Sequence, residues 1–472
     1  MAYVEREIWK GEADAGMKEQ TPSEDSFCRL SRAIIERHRC TYREALRFLG
    51  GLRLNLVCDE RLFGSAALQA ALVTAINTGK RSFLGGVSVR MPADVPNRLP
   101  WPAAGTLNEV AAGLGARVGH SPLSAGNHIL YFGAAREPVH DGLTVVCSGW
   151  RGGVVPAEQE VALESSSDFA LGGVLAGALG VARGFLRITA LSSRFVEAPQ
   201  GLSLWRPDLD WTRPESDGPA LELLPLNLWL LGLGHLGQAF AWSLGLLPYP
   251  RSKPATIFLQ DFDRAVAANW NAGLLCEEGS AGQLKTRLCS AWLESRGFGT
   301  RIVERPFDEW TRRRGEEPFV ALCGFDNLKA RALLEEAGFD LVVECGLGGD
   351  IATFDDVVLH TFPGASQTAR ETFGDGAGAG GVGAGSLAGA FGDLADCGIL
   401  LATLEGKAIS SSFVGAYAGA LVVGEVLRGL HGGVRCELVK AHLRSNDAPG
   451  VVLLNEVYQN RLARSGYVDL GV

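Results

Sequence analysis

Nowhere among the ten cysteines of this chain do two stand in a C-x-x-C pair, and that absence excludes a zinc ribbon and a small disulfide scaffold. The first ten residues carry Glu5, Arg6 and Glu7 and no apolar run, which argues against an ordinary secretory signal. The apolar run over 169–181 is glycine-rich, too short to span a bilayer, and leads into Arg183 and Arg187. Positive charge is also in short supply. With 44 Lys+Arg against 53 Asp+Glu the net charge is -9, so there is no overall field to hold nucleic acid or anionic lipid. The expectation is a soluble, cytoplasmic chain with reduced thiols and neither nucleic acid nor membrane as a partner.

Length and glycine are abundant. A chain of 472 residues with 47% hydrophobic content supports two packed cores. Many of the 61 glycines fall in 374–392, GDGAGAGGVGAGSLAGAFG, which has little to bury and reads as a flexible connection. Pro199, Pro207, Pro214, Pro219 and Pro225, with Asp208, Asp210, Glu215 and Asp217 among them, read as a linker between two halves.

After that stretch, strand and helix patterns alternate. Strands are expected at 226–231, 256–260, 300–303, 319–323 and 340–344, with helices at 235–247, 284–295 and 328–337. Such alternation implies a parallel sheet covered on both faces, a Rossmann-like α/β fold. The first half repeats the theme, with strands at 54–59, 86–91, 128–132 and 143–147 and helices at 64–78 and 107–114. A late apolar helix over 169–188 parallels another over 413–430. The sequence therefore predicts two Rossmann-like domains with mostly parallel sheets in a pseudo-dimeric arrangement. Its expected parts are a helical segment at 1–50, a degenerate domain at 51–198, a linker at 199–225, and an intact domain at 226–472 with a crossover loop at 363–397.

Gly232, Gly234 and Gly237 form G-x-G-x-x-G directly after a strand and at the opening of a helix. Without side chains the backbone can approach phosphate, and the helix start supplies N–H donors and partial positive charge. The alternative is a tight turn with close helix packing. Asp261 ends the next strand, where a carboxylate suits ribose hydroxyls. Asp263, Asn269 and Lys285 follow, and Asp326 stands after the strand FVALC. A dehydrogenase needs neither Asn269 nor Lys285, whereas attack on an α-phosphate needs donors for the charge that develops there. Asp326 suits Mg²⁺ at the C-terminal ends of the strands. His235, inside the loop, reads as a surface residue.

At these residues the sequence resembles the ThiF/MoeB/ubiquitin-activating superfamily, whose pattern appears here as GLGHLG, DFD (Asp261 to Asp263), Asn269, Lys285 and Asp326-Asn327. The resemblance covers 226–432. It implies ATP and Mg as cofactors, a site built from Gly232, Gly234, Gly237, Asp261, Asp263, Asn269, Lys285 and Asp326, and adenylation of the C-terminal glycine of a ubiquitin-like protein. It also implies a catalytic cysteine before the late helix. Cys397 holds that place, and Cys345 is the second candidate. The acyl group would then pass to a ubiquitin-conjugating-enzyme-like protein. Bacterial relatives of this reduced design are associated with ubiquitination-like operons in antiphage defence. One position departs from the pattern: Ala272 stands where the family has an arginine on the ATP phosphates. Family members work as dimers or pseudo-dimers in which a helix of the partner half reaches the ATP site, so Arg37 or Arg39 is a candidate substitute, and a homodimer is left open. A sulfur-carrier adenylyltransferase, a peptide-adenylating enzyme and a non-catalytic scaffold are the alternatives.

Overall fold

The structure, a computed structural model, describes residues 28–102, 104–119, 127–133, 142–165, 167–191, 198–374, 408–457, 462 and 464–471. Helices α1 (Arg29–His38) and α2 (Tyr42–Gly51) come first, α2 opened by a capping box in which Thr41 and Glu44 satisfy each other's backbone N–H. The first half then runs β1 (Arg53–Cys58), α3 (Ala66–Gly79), β2 (Val87–Arg90), α4 (Leu107–Gly113), β3 (Arg117–Val118), β4 (Asn127–Phe132), β5 (Gly142–Ser148), β6 (Arg151–Pro156), α5 (Ala170–Ile188) and β7 (Gln200–Ser203). The second half runs β8 (Leu223–Pro225), β9 (Asn227–Leu231), α6 (His235–Gly245), β10 (Thr256–Gln260), α7 (Lys285–Glu294), β11 (Gly299–Val303), β12 (Val320–Cys323), α8 (Leu328–Arg331), β13 (Leu341–Leu347), β14 (Asp356–Phe362), α9 (Ala369–Phe373), α10 (Ser412–Leu430), β15 (Val434–His442), β16 (Gly450–Val457) and β17 (Tyr467–Asp469).

Each half builds one sheet, and the two sheets share an order. The first is β3-β2-β1-β4-β5-β6-β7 and the second β11-β10-β9-β12-β13-β14-β15-β16. In both, the first five strands are parallel. The strands that follow are antiparallel. The second half adds only β16 at its far edge, and β8 pairs with β17 in a small separate ribbon. The mixed α/β architecture with mostly parallel sheets is therefore present twice. The proline-rich 199–225 stretch is more than an open linker: β7 is the edge strand of the first sheet, and Trp211, Ser216 and Leu224 are buried.

Helices α3 and α5 of the first half pack against α6 and α10 of the second, forming a shared layer between the sheets. Helices α5 and α10 are each 19 residues long, their bounds within one residue of the expected 169–188 and 413–430. Both are long and apolar enough to cross a membrane, yet 89% and 100% of their apolar windows are buried inside the protein. A Cβ at Gly173 of α5 would lie 1.9 Å from the Ala67 carbonyl, and one at Gly419 of α10 would lie 2.6 Å from that of Ala239. Glycine inside a helix costs about 1 kcal/mol relative to alanine. Here it permits the backbones of α3 and α5, and of α6 and α10, to touch.

Polar groups lock the halves together. Trp242 Nε1 donates to Thr74 Oγ1 at 3.1 Å, Asn77 Nδ2 to the Leu274 carbonyl at 3.0 Å, and Ser412 Oγ to the Thr78 carbonyl at 3.2 Å. Trp101, Trp242 and Trp292 cluster, with the Arg296 guanidinium 4.3 Å from the Trp101 ring and 3.1 Å from that of Trp292. Arg81 is fully buried and donates to the carbonyls of Trp270, Leu274 (3.1 Å) and Cys276 (2.8 Å). Burial lowers its pKa to about 10, with Glu277 opposing, so it remains charged at neutral pH.

Candidate functional site

The glycine loop lies between β9 and α6, where the strand order reverses between β10 on one side and β12 on the other, the position at which doubly wound sheets bind ligands. Its three glycines have three separate reasons. Gly232 has φ +78°, a backbone conformation that side chains oppose. A Cβ at Gly237 would fall 1.9 Å from the Gly232 carbonyl, so helix and strand could not close up. A Cβ at Gly234 would meet nothing within 4 Å; there the backbone faces open space. Among the described residues the N–H groups of His235 and Leu236, the first two of α6, meet no acceptor. They are available to an anion.

Asp261 secures the loop from below. Its Oδ2 accepts from Leu233 N at 2.6 Å and its Oδ1 from Asp263 N at 2.8 Å, so both oxygens that the sequence reading assigns to ribose are engaged in holding backbone. Asp263 in turn binds Lys285 twice: its carbonyl accepts from Lys285 N at 3.0 Å, and its Oδ2 accepts from Nζ at 2.7 Å. The Lys285 side chain is largely buried at the start of α7, while that of Asp263 is half exposed. Asn269 Oδ1 accepts from Val266 N at 3.0 Å and caps the turn Ala267–Asn271. Its amide N–H groups have no acceptor among the described residues. Asp326 is exposed on the loop between β12 and α8, and its carboxylate accepts no hydrogen bond there. Asn327, beside it, caps α8 through Lys329 N and Ala330 N.

The loop carrying Asp326 is itself braced. Arg331 donates to the Phe325 carbonyl and pairs with Glu344 at 3.1 Å, and Glu344, fully buried on β13, also meets His360 Nδ1 at 3.0 Å. Phe325 approaches Gly232 closely enough that a Cβ there would lie 2.9 Å from its ring. The Asp326 loop and the glycine loop therefore pack together.

Three expectations change. His235 packs against Gly415 of α10, and burial holds its pKa at about 4, raised somewhat by the Ser411 backbone and lowered by Arg29. It is a neutral, partly buried imidazole at neutral pH. Cys345 does not face the cleft: it is fully buried on β13, and burial together with Glu344 drives its thiol pKa far up, which suppresses the thiolate a nucleophile needs. Cys397 lies outside the described residues. The third change concerns the arginine. Arg37 and Arg39 are exposed at the C-terminal end of α1, about 12 Å or more along the helix from its first residue. That residue, Arg29, interacts electrostatically with both Asp326 and His235, and α1 packs against the Asn269 turn. Burial lowers the Arg29 pKa and Asp326 partly restores it. The sequence reading names Arg37 or Arg39 here, and Arg29 enters only through the fold.

At Ala272, which is buried, the two flanking stretches are held by Arg81 through Trp270, Leu274 and Cys276. A cavity of about 450 Å³ opens at the seam of β7 with β15, lined by Gln200, Trp211, Tyr417 and Asp447 among others, and no residue of the glycine-loop constellation lines it. Among the described residues no group of three or more His, Cys, Asp or Glu gathers as a metal site. A single open carboxylate, Asp326, nevertheless fits Mg²⁺, which usually takes one or two protein carboxylates beside phosphate oxygens and water.

Two matching α/β halves are joined through a helical layer, and one of them carries a glycine loop backed by Asp261, Asp263 and Lys285. Family models for the BilD N-terminal domain and the BilD C-terminal domain match residues 53–204 and 224–433. The bacterial E1-like protein BilD of Collimonas sp. (strain OK412) is 34% identical over 407 residues, covering 84% of this chain and 87% of that protein. The chain belongs to the BilD family. Among solved structures, E. coli MccB is similar at 13% identity over 66% of this chain and 92% of its own, with a TM-score of 0.33. MccB with AMPCPP and MccA is similar at 13% identity over 66% and 94%, with a TM-score of 0.32.

Proposed function

We propose that the second half activates the C-terminal carboxylate of a small ubiquitin-like protein with ATP. The observation that carries this reading is the open start of α6 at Gly234, with two N–H groups awaiting an anion, held against Asp261 and flanked by the Lys285–Asp263 pair. Membership of an E1-like family supports the same chemistry. A carboxylate oxygen of the substrate attacks the α-phosphorus, the bond from that phosphorus to the bridging oxygen breaks, and pyrophosphate leaves with the bond electrons. Lys285 and the α6 N–H groups stabilise the negative charge that builds on the phosphate oxygens. Arg29 supplies the cation that Ala272 does not, and Asp326 would hold Mg²⁺, whose contribution is to neutralise triphosphate charge. The thiolate of Cys397 then attacks the acyl carbon, AMP leaves, and the thioester is passed to a conjugating-enzyme-like protein. The nine described cysteines are all free, which suits a reducing cytoplasm.

ATP–pyrophosphate exchange with candidate Gly-ending proteins tests the reading; no exchange with any genomic neighbour of that kind would sink it. In that assay Arg29→Ala should lower kcat/KM for ATP by about 10²-fold, in line with loss of one charge-stabilising donor, while Arg37→Ala stays at the parental rate. Equal activity of the two variants would remove Arg29 from the site. Cys397→Ala should retain exchange and lose the reductant-sensitive adduct seen on non-reducing gels. A surviving adduct would assign the thioester to another cysteine.

A further inference from the structure

The cavity at the seam of β7 with β15 is built from both halves and stands apart from the glycine loop. Its volume of about 450 Å³ is that of a small-ligand pocket. One wall is Trp211, whose ring rests against the first sheet where Gly153 of β6 pairs with Gly201 of β7. A Cβ at Gly153 would fall 2.6 Å from the indole, and one at Gly201 closer still, so only glycine at both positions lets the ring sit there. The seam itself is pinned by Gln200, whose Nε2 donates to the carbonyls of His442 at 3.4 Å, Leu443 at 3.2 Å and Ser445 at 2.5 Å. Both walls are thus set by the fold.

Acceptors without donors gather on the lining. Trp211 and Tyr417 are each only 6% exposed, and the Tyr417 hydroxyl has no hydrogen-bond partner among the described residues. Gln200 Oε1 is likewise without a donor. Asp210 accepts from Thr212 N at 2.9 Å and Thr212 Oγ1 at 2.8 Å, both through Oδ1, and Asp447 accepts from Ser445 Oγ at 2.6 Å through Oδ2. The second oxygen of each carboxylate is left over, and neither aspartate forms an ion pair among the described residues. No lysine or arginine among the described residues lines the cavity. His442, the one described lining side chain able to carry positive charge, already has Nδ1 against Asp356 Oδ1 at 2.7 Å.

Spare carboxylate oxygens beside an indole and a phenol are the chemistry that recognises an organic cation: the charge meets the carboxylates, and the aliphatic stem meets the aromatic walls. A guanidinium, with a donor on every nitrogen and no acceptor, uses such a lining most fully. We propose that the seam cavity binds a small organic cation, a guanidinium or ammonium group on an aliphatic stem, in contact with both halves at once. The cation arrives either as a free amine or as the basic side chain of a polypeptide. The site is independent of the activating role assigned above to the second half.

The test uses the full chain and calorimetry with butylguanidinium, its neutral isostere butylurea, and the blocked arginine Nα-acetyl-arginine methylamide. At least one of the two cations should bind about tenfold or more tightly than butylurea. Asp210→Asn and Asp447→Asn should each lower that affinity about fivefold, the upper worth of a single charge pair near the surface. Asp94→Asn, which changes an exposed carboxylate between β2 and α4 and outside the cavity, should keep the parental affinity. Tighter binding of butylguanidinium identifies a free cation, and tighter binding of blocked arginine a polypeptide side chain. Absence of saturable binding by either cation, equal binding of butylurea, or an equal loss in Asp94→Asn overturns the proposal. Should a rim variant fail to fold, Ala448→Lys replaces it, because Ala448 is an exposed lining residue and a lysine there supplies the cation from within. Folded Ala448→Lys should bind neither cation, and parental binding in that variant refutes the site. ATP–pyrophosphate exchange by Asp447→Asn should stay at the parental rate, so the cation site and the activating role stand or fall separately.

Discussion

Replacement of Lys285 by alanine is expected to cut ATP–pyrophosphate exchange by about 10²–10³-fold or more, the usual consequence of removing a donor aimed at developing charge. The fold should survive the change. The partner of Lys285, Asp263, is half exposed, and ion pairs of that kind contribute about 1 kcal/mol or less to stability. The backbone bond from Lys285 N to the Asp263 carbonyl is unaffected by the substitution. Exchange measured beside a thermal melt therefore separates the two roles. Full exchange in Lys285→Ala would show that the ammonium group serves only to pin Asp263, and the site assignment would collapse. Asp326→Ala should behave alike, because its exposed carboxylate accepts no hydrogen bond among the described residues and so gives little to the fold.

Replacement of Arg81 by alanine should have the largest effect on stability. Its guanidinium satisfies three carbonyls of the 270–276 loop and touches Glu277, all across the boundary between the halves. An acceptor left buried and unpaired costs about 1–3 kcal/mol, so a total loss of about 3 kcal/mol or more is expected. Arg81→Lys should recover little of it, since one ammonium cannot reproduce a planar fork bonded to several oxygens. Urea denaturation gives the stability change, and hydrogen exchange over 266–280 should show the loop opening first. A midpoint unchanged in Arg81→Ala would mean that the halves are held by the apolar helix layer alone.

The parallel core of the second half is the part most legible in sequence. Strands β9, β10 and β12 are short apolar runs closed by glycine or aspartate, and their bounds lie within one residue of the pattern. The late antiparallel strands escape such a reading, because β14 pairs with β13 nearby but with β15 only after the whole of 363–433 has intervened. The expected helix over 328–337 is only a short helix, Leu328–Arg331, and a separate 3-10 turn, Leu334–Ala337, ended by Gly338 in the left-handed region. The proline stretch hides β7, since edge strands tolerate the proline and aspartate that also mark loops. Within the site, the residues that the motif names lie just after the C-terminal ends of adjacent strands, in the turns that follow, or in the first turn of α6 and α7. Those that no motif names, Arg29 beside Asp326 and Arg81 behind the 270–276 loop, are far away in sequence and enter only through the packing of the first half against the second.

Because Arg29 and Arg81 belong to the same chain as the loops they approach, bringing them together is a unimolecular event. Two separate subunits would have to find each other at whatever copy number the cell maintains, whereas tethered halves meet at an effective concentration set by their connection. In the proposed activation reaction, the contribution of Arg29 to turnover per molecule should thus be indifferent to dilution.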